Sequence, residues 1–267
     1  MNRRDFNTTA AMAALLATFS AQAEAQQSPQ NSQQTSPQQP KRKSRLPPLN
    51  YTMLIYPGMV FQDLLGPLMV FRLTMATPRL VWKTREPVST DVDLPVPPTH
   101  TLDDCPDQAD VLFVPGGLRG TTAMLQDDAV LGFLRDKAPH ARFVTSVCTG
   151  SLILGAAGLL QGKKATSHWN VTDLLPLFGA IPTDGRVVQD GNIITGGGVT
   201  AGLDFGLTIA AILRGDDWAK KTMLTLEYAP EPPFVGGTPD RAEPENVAAV
   251  TRMLAPSKAA ARKAAGA

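Results

Sequence analysis

From Tyr51 onward, short apolar runs alternate with longer segments whose apolar positions recur at helical spacing. YTMLIY at 51–56, RLVWKT at 79–84, DVLFVP at 110–115 and RFVTSV at 142–147 have the strand pattern. RVVQ at 186–189 and NIITG at 192–196 form a further pair joined at Asp190-Gly191, a hairpin turn signal. Helical spacing falls between the strands, over 62–76, 121–137, 149–157, 170–178 and 200–213. Strands separated by helices predict an α/β domain, a single doubly wound and mostly parallel sheet with helices on both faces, over residues 49–228. Residues 229–267 predict an extended segment, a short helix over 244–254 and an Ala/Lys-rich tail.

The first 48 residues break this pattern. Residues 1–25 carry Arg3 and Arg4, an apolar stretch from Ala10 to Phe19 and small residues in A-x-A spacing, the arrangement of an export signal peptide. The Arg-Arg-x-Phe start resembles a twin-arginine signal, which predicts a periplasmic or otherwise exported protein. Residues 26–48 are crowded with Gln, Ser and Pro, so they bury too little apolar surface to order and read as a disordered linker. A formal net charge of +1 points to no electrostatic partner class, and nucleic acid is not expected. No uninterrupted apolar run of spanning length follows the signal, so the mature form is expected to have no stable membrane span.

Candidate chemistry concentrates in RFVTSVCTGSLILGAAGLL. An apolar strand stops at Cys148 and becomes a helix, a turn that lifts a nucleophile above the C-terminal edge of a parallel sheet. A thiol at a helix N-terminus meets the positive end of the dipole, which predicts a pKa below the ordinary 8.5 or so and a ready thiolate. The residues alone leave a second reading open, a small buried hydrophobe. Asp63 follows the first strand and is either a carboxylate near Cys148 or a helix N-cap stabilising by about 1 kcal/mol. Leu64 and Leu65 would desolvate it, so that it holds a proton near neutral pH. Three scattered histidines and two distant cysteines give no metal-ligand spacing, and no cofactor fingerprint occurs. His100 and His140 sit in loops with no partner signal, and Cys105 lies in a polar connection, read as a non-catalytic thiol outside any disulfide.

The block SVCTGSLILGAAGLLQGKKATSHW resembles the elbow of the ThiJ/PfpI superfamily, relatives of class I glutamine amidotransferases. IYPGMVFQDLLGPLMVF, ADVLFVPGG and GNIITGGGVTAGLDFGL follow the same order, so the resemblance covers about residues 51–226 and implies a flavodoxin-like fold. These strings are most similar to the isonitrile hydratase branch, and Asp63, where many relatives carry glutamate, agrees with that branch. The resemblance implies a hydro-lyase with a Cys148 nucleophile that converts a hydrophobic isonitrile R–NC into an N-substituted formamide through a thioimidate, with Asp63 as proton donor. It implies oxyanion-type backbone donors from Gly117 or Leu118 and from Thr149, whose hydroxyl can also serve. His168 is implied as a pocket residue or a catalytic one, and a homodimer as the assembly. Two alternatives stand beside it. One is an exported small-molecule-binding domain like the sensor halves of AraC-type regulators, although only 39 residues follow Tyr228, too few for their DNA-reading part. The other is glyoxalase or deglycase chemistry on reactive carbonyls.

Overall fold

The computed structural model describes residues 46–266. The expected signal peptide, and the linker up to residue 45, lie outside the described residues. Strand β1 (Leu49–Leu54) is followed by α1 (Phe61–Leu73), β2 (Ala76–Trp82), the two-residue β3 (His100–Thr101) and β4 (Ala109–Val114). Helices α2 (Leu118–Met124) and α3 (Asp128–Lys137) lead to β5 (Ala141–Val147) and α4 (Gly150–Ala156). After the short β6 (Lys164–Ala165), a 3₁₀ run (Thr172–Phe178) and β7 (Ile181–Pro182), the hairpin β8 (Val187–Asp190) and β9 (Ile193–Gly196) completes the large sheet. Helices α5 (Ala201–Arg214), α6 (Asp216–Thr225) and α7 (Pro244–Ala264) close the described chain.

The seven strands run in the order β3-β2-β1-β4-β5-β9-β8, parallel except for the β8–β9 hairpin, and β6 and β7 pair separately. The expected doubly wound, mostly parallel α/β sheet is therefore present. Strand order reverses between β1 and β4, so the chain leaves these neighbours in opposite directions and opens a crevice beyond their C-terminal ends. The connections after β1, β4 and β5 all reach that edge; Gly116 and Cys148 lie on the latter two, and Asp63 in the first turn of α1 that follows β1.

Packing fixes α1, and with it Asp63. Tyr51, Phe71, Phe113 and Phe205 form an aromatic cluster between the sheet and α1 and α5, in which Phe71 meets the other three edge-to-face, with Tyr51 and Phe71 centroids 4.4 Å apart. A methyl at Gly206 would fall 2.9 Å from Val70 Cβ, so glycine on α5 is what lets the two helices approach this closely.

Several elements differ from the sequence expectation. The segment 121–137 is two helices, because the Asp127 side chain accepts the Val130 N–H and starts α3 afresh. The segment 170–178 is a 3₁₀ run with Pro176 inside it. The C-terminal helix continues to Ala264 through the expected tail. Gln126 donates to the Ala264 carbonyl, and Lys258 and Arg262 pair with Asp173, so the tail has partners that its composition does not reveal.

Candidate active site

Cys148 ends β5 with φ of +54°, a left-handed conformation that an L side chain adopts only when its surroundings impose it. Here they do so through both backbone groups. Its N–H donates to the carbonyls of Gly196 and Gly197, at 3.0 and 2.8 Å. Its carbonyl accepts the hydroxyls of Ser151 and Ser167, at 3.3 and 3.0 Å. The strained elbow is thus pinned from β9, from α4 and from the loop after β6.

Asp63 lies in the first turn of α1 and is fully buried. It does not cap that helix: Val60 is the N-cap residue, and the Asp91 carboxylate accepts the Phe61 N–H at 2.8 Å. Instead Asp63 Oδ2 accepts the Gly116 N–H at 3.0 Å from the neighbouring loop. Oδ1 has no hydrogen-bond partner among the described residues, and Cys148 is the neighbour of the carboxylate across Gly116. A methyl at Gly116 would sit 2.6 Å from Asp63 Oδ2, from Cys148 Cβ and from Thr149 N, so only glycine permits this convergence.

The electrostatics reverse one expectation. Cys148 is only 4% exposed, and burial together with the neighbouring Asp63 charge pushes its pKa well above the ordinary thiol value. The Thr149 backbone N–H favours the thiolate but is outweighed. The two-turn α4 does not overcome desolvation, and the resting group is a protonated thiol rather than a ready thiolate. Burial likewise lifts Asp63 from 3.8 to about 7, against the opposing pull of the neighbouring Cys148 thiol and of the Gly116 N–H bond. Asp63 therefore changes protonation state near neutral pH, which suits general acid–base work, whereas transfer of the Cys148 proton to it is uphill in the resting site and must accompany bond formation at sulfur.

The expected backbone donors are only partly free. The Gly117 N–H is committed to Thr149 Oγ1 at 2.9 Å, and the Thr149 hydroxyl is itself engaged with Thr121 Oγ1 at 2.7 Å. Gly117 and the Thr149 hydroxyl thus serve each other in this state. Leu118, the first residue of α2, keeps its N–H unpaired among the described residues, and so does Thr149, which follows Cys148 at the elbow. His168 makes no hydrogen bond to Cys148 or Asp63 among the described residues; its Nδ1 accepts the Asn170 N–H at 3.3 Å, and its ring lies against Gly198. Burial lowers its pKa, so it is neutral at pH 7. Tyr56, Thr121 and Ser167 were not singled out from the sequence, because an isolated hydroxyl carries no signal until the fold brings it to a partner.

Cys105 is a free thiol, as is Cys148. It is buried against Thr52 at 3.8 Å, deeper than a polar connection suggests. Among the described residues no group of His, Cys, Asp or Glu is placed to hold a metal, and no helix is long and apolar enough to cross a membrane.

A doubly wound sheet with a strained cysteine elbow at its switch point and a buried carboxylate beside it defines a class of α/β proteins. Residues 52–212 match the DJ-1/PfpI family, and the chain belongs to that family. It is 50% identical over 210 residues to isonitrile hydratase of Pseudomonas putida, covering 78% of this chain and 91% of that protein. A ThiJ/PfpI family protein from Pseudomonas syringae, 46% identical, superposes with a TM-score of 0.81 over 83% of this chain and 92% of the other. Similarity to the deglycase PfpI of Pyrococcus furiosus is 35% over 68 residues, 26% of this chain and 40% of that protein.

Proposed function

We propose that this protein hydrates isonitriles to N-substituted formamides, with Cys148 as nucleophile and Asp63 as the proton carrier. The observation that carries the reading is the buried Asp63 carboxylate against the Cys148 thiol, in a chain half identical to an isonitrile hydratase along nearly that enzyme's whole length. Asp63 accepts the thiol proton as sulfur bonds to the terminal carbon of R–N≡C. It then returns that proton to the same carbon, giving R–N=CH–S–Cys148. Water adds to the imidoyl carbon, one of its protons passing to nitrogen and the other to the departing sulfur, and R–NH–CHO leaves with the thiol restored. The unpaired Leu118 N–H and the Thr149 N–H are the donors for charge that develops during the addition. His168, neutral and partly buried, turns its Nδ1 to the Asn170 N–H and has no part in the proton relay.

An aspartate suits this relay because the carboxylate must reach both sulfur and the carbon bonded to it. Val60 and Phe61, both partly buried beside Asp63, offer apolar surface to the R group. The same reading carries over an exported location, from the first 25 residues, and a homodimeric assembly, from the family. The purified protein, assayed against a panel of alkyl and aryl isonitriles, is expected to release the matching formamides. Consumption of methylglyoxal with no formamide from any isonitrile overturns the reading in favour of carbonyl chemistry.

A further inference from the structure

Behind the elbow runs a chain of hydroxyls whose direction follows from donor and acceptor counting. The Tyr56 hydroxyl donates to the Pro115 carbonyl at 2.8 Å, and a carbonyl can only accept. Tyr56 has one proton, so its 3.1 Å contact with Thr121 is a bond donated by Thr121. Thr121 has then used its own proton, and its 2.7 Å contact with Thr149 is donated by Thr149. The Gly117 N–H completes the series by donating to Thr149 Oγ1 at 2.9 Å. All three side chains are buried, so no solvent competes for these protons.

The consequence falls on the reactive thiol. Thr149 directly follows Cys148 at the elbow, and in this structure its hydroxyl is bonded to Thr121 and Gly117 and not to the sulfur, where its proton would favour the thiolate. One proton cannot serve both acceptors. We propose that Tyr56 and Thr121 are positioning residues that act through Thr149, drawing its hydroxyl proton away from Cys148 and so holding the resting sulfur as a thiol. The arrangement leaves Asp63 as the group that takes the thiol proton, and it keeps the Thr149 proton available to turn toward sulfur when charge develops there. Other ionisable groups around Cys148 are Asp63 from α1, with Asp91 acting on it, and Tyr56 after β1; His168 is the nearest in sequence on the β6 side and is neutral.

The account makes opposite predictions for neighbouring residues. Thr121→Val removes the acceptor of the Thr149 proton, which then turns to sulfur. Tyr56→Phe removes the acceptor of the Thr121 proton, so Thr121 donates to Thr149 and again releases the Thr149 proton to sulfur. Both are expected to lower the midpoint of Cys148 alkylation by iodoacetamide by about one pH unit, with the Cys148 peptide followed by mass spectrometry. At pH 8 this reads as alkylation roughly threefold to tenfold faster. Thr149→Val is expected to raise the midpoint, and Thr121→Ser, which keeps the hydroxyl, to leave it where the unaltered protein has it. Loosening of the site would speed alkylation at every pH without moving the midpoint, so the midpoint is the deciding quantity. Unmoved midpoints in Thr121→Val and Tyr56→Phe, or a rise in both alongside Thr149→Val, overturn the proposal. The thiol itself is the readout, so the result does not depend on whether isonitriles are the substrate.

Discussion

The two cysteines of this chain are an internal controlled comparison. Each is a free thiol, each is 4% exposed, and burial raises the pKa of each. Exposure and titration direction therefore do not separate them. Cys105 faces the Thr52 hydroxyl at 3.8 Å, and its carbonyl is held by Lys137 at 2.7 Å. Cys148 faces a buried carboxylate that titrates near 7, sits on a backbone with φ of +54°, and lies at the strand ends beside the topological switch. What sets Cys148 apart is a neighbouring carboxylate and a strained seat, and burial by itself makes only a core residue.

That contrast can be broken most directly by removing the sulfur. Cys148→Ala is expected to cut formamide production by on the order of 10³-fold or more while circular dichroism stays unchanged. Undiminished turnover would place the chemistry elsewhere. Next in size is the loss of the carboxylate: Asp63→Asn is expected to slow turnover by about 10²–10⁴-fold. In the unaltered enzyme the rate is expected to rise with pH through about 7, as Asp63 becomes able to accept the thiol proton. An equal rate at pH 5.5 and pH 8 would remove Asp63 from the proton path.

The same substitution has a pH signature in stability. The folded pKa of Asp63 lies above its unfolded value, so between about pH 4 and pH 7 the folded state binds more protons than the unfolded one. The buried carboxylate thus makes the fold less stable as pH rises through this window, by at most about 4 kcal/mol. Asp63→Asn is expected to melt higher than the unaltered protein at pH 8 and to lose that advantage toward pH 4. A constant difference across the window would contradict the burial of a charged Asp63.

Smaller effects sharpen the comparison further. Gly116→Ala puts a methyl 2.6 Å from both members of the pair and is expected to cost about 1–3 kcal/mol in denaturant melts, with activity lost more steeply than stability. Cys105→Ala is expected to cost about 1 kcal/mol in stability and to leave turnover within a factor of two. A large loss of turnover there would erase the distinction between the two thiols.

Much of this architecture is legible in the sequence. The apolar runs give the four long strands of the sheet and its closing hairpin, and the break from strand to helix at Cys148 marks the elbow. Asp63 is legible as a residue at the same sheet edge, because both follow strands. The state of the sulfur is not. A helix N-terminus is a local feature visible in the chain, whereas the desolvation that outweighs it comes from α1, β4 and β9 packing around Cys148. Gly117 illustrates the same limit: its N–H reads as a free donor until the fold places Thr149 Oγ1 2.9 Å away. The Tyr56–Thr121–Thr149 series joins residues 28 and 65 positions apart, a spacing with no local pattern to reveal it. The sequence pattern ends the C-terminal helix at residue 254 ahead of an Ala/Lys-rich tail, yet the helix runs to Ala264, and Asp173 supplies ion pairs to Lys258 and Arg262 that no local pattern reveals.

The central claim is that the isonitrile carbon bonds to Cys148 and to no other group. Rapid quenching of the protein with an alkyl isonitrile, followed by peptide mass spectrometry, tests it. The account predicts a transient gain equal to the intact isonitrile mass on the peptide carrying Cys148 and no gain on the peptide carrying Cys105. Formamide accumulating with no adduct on Cys148 at any quench time, or an adduct on Cys105 instead, would contradict it.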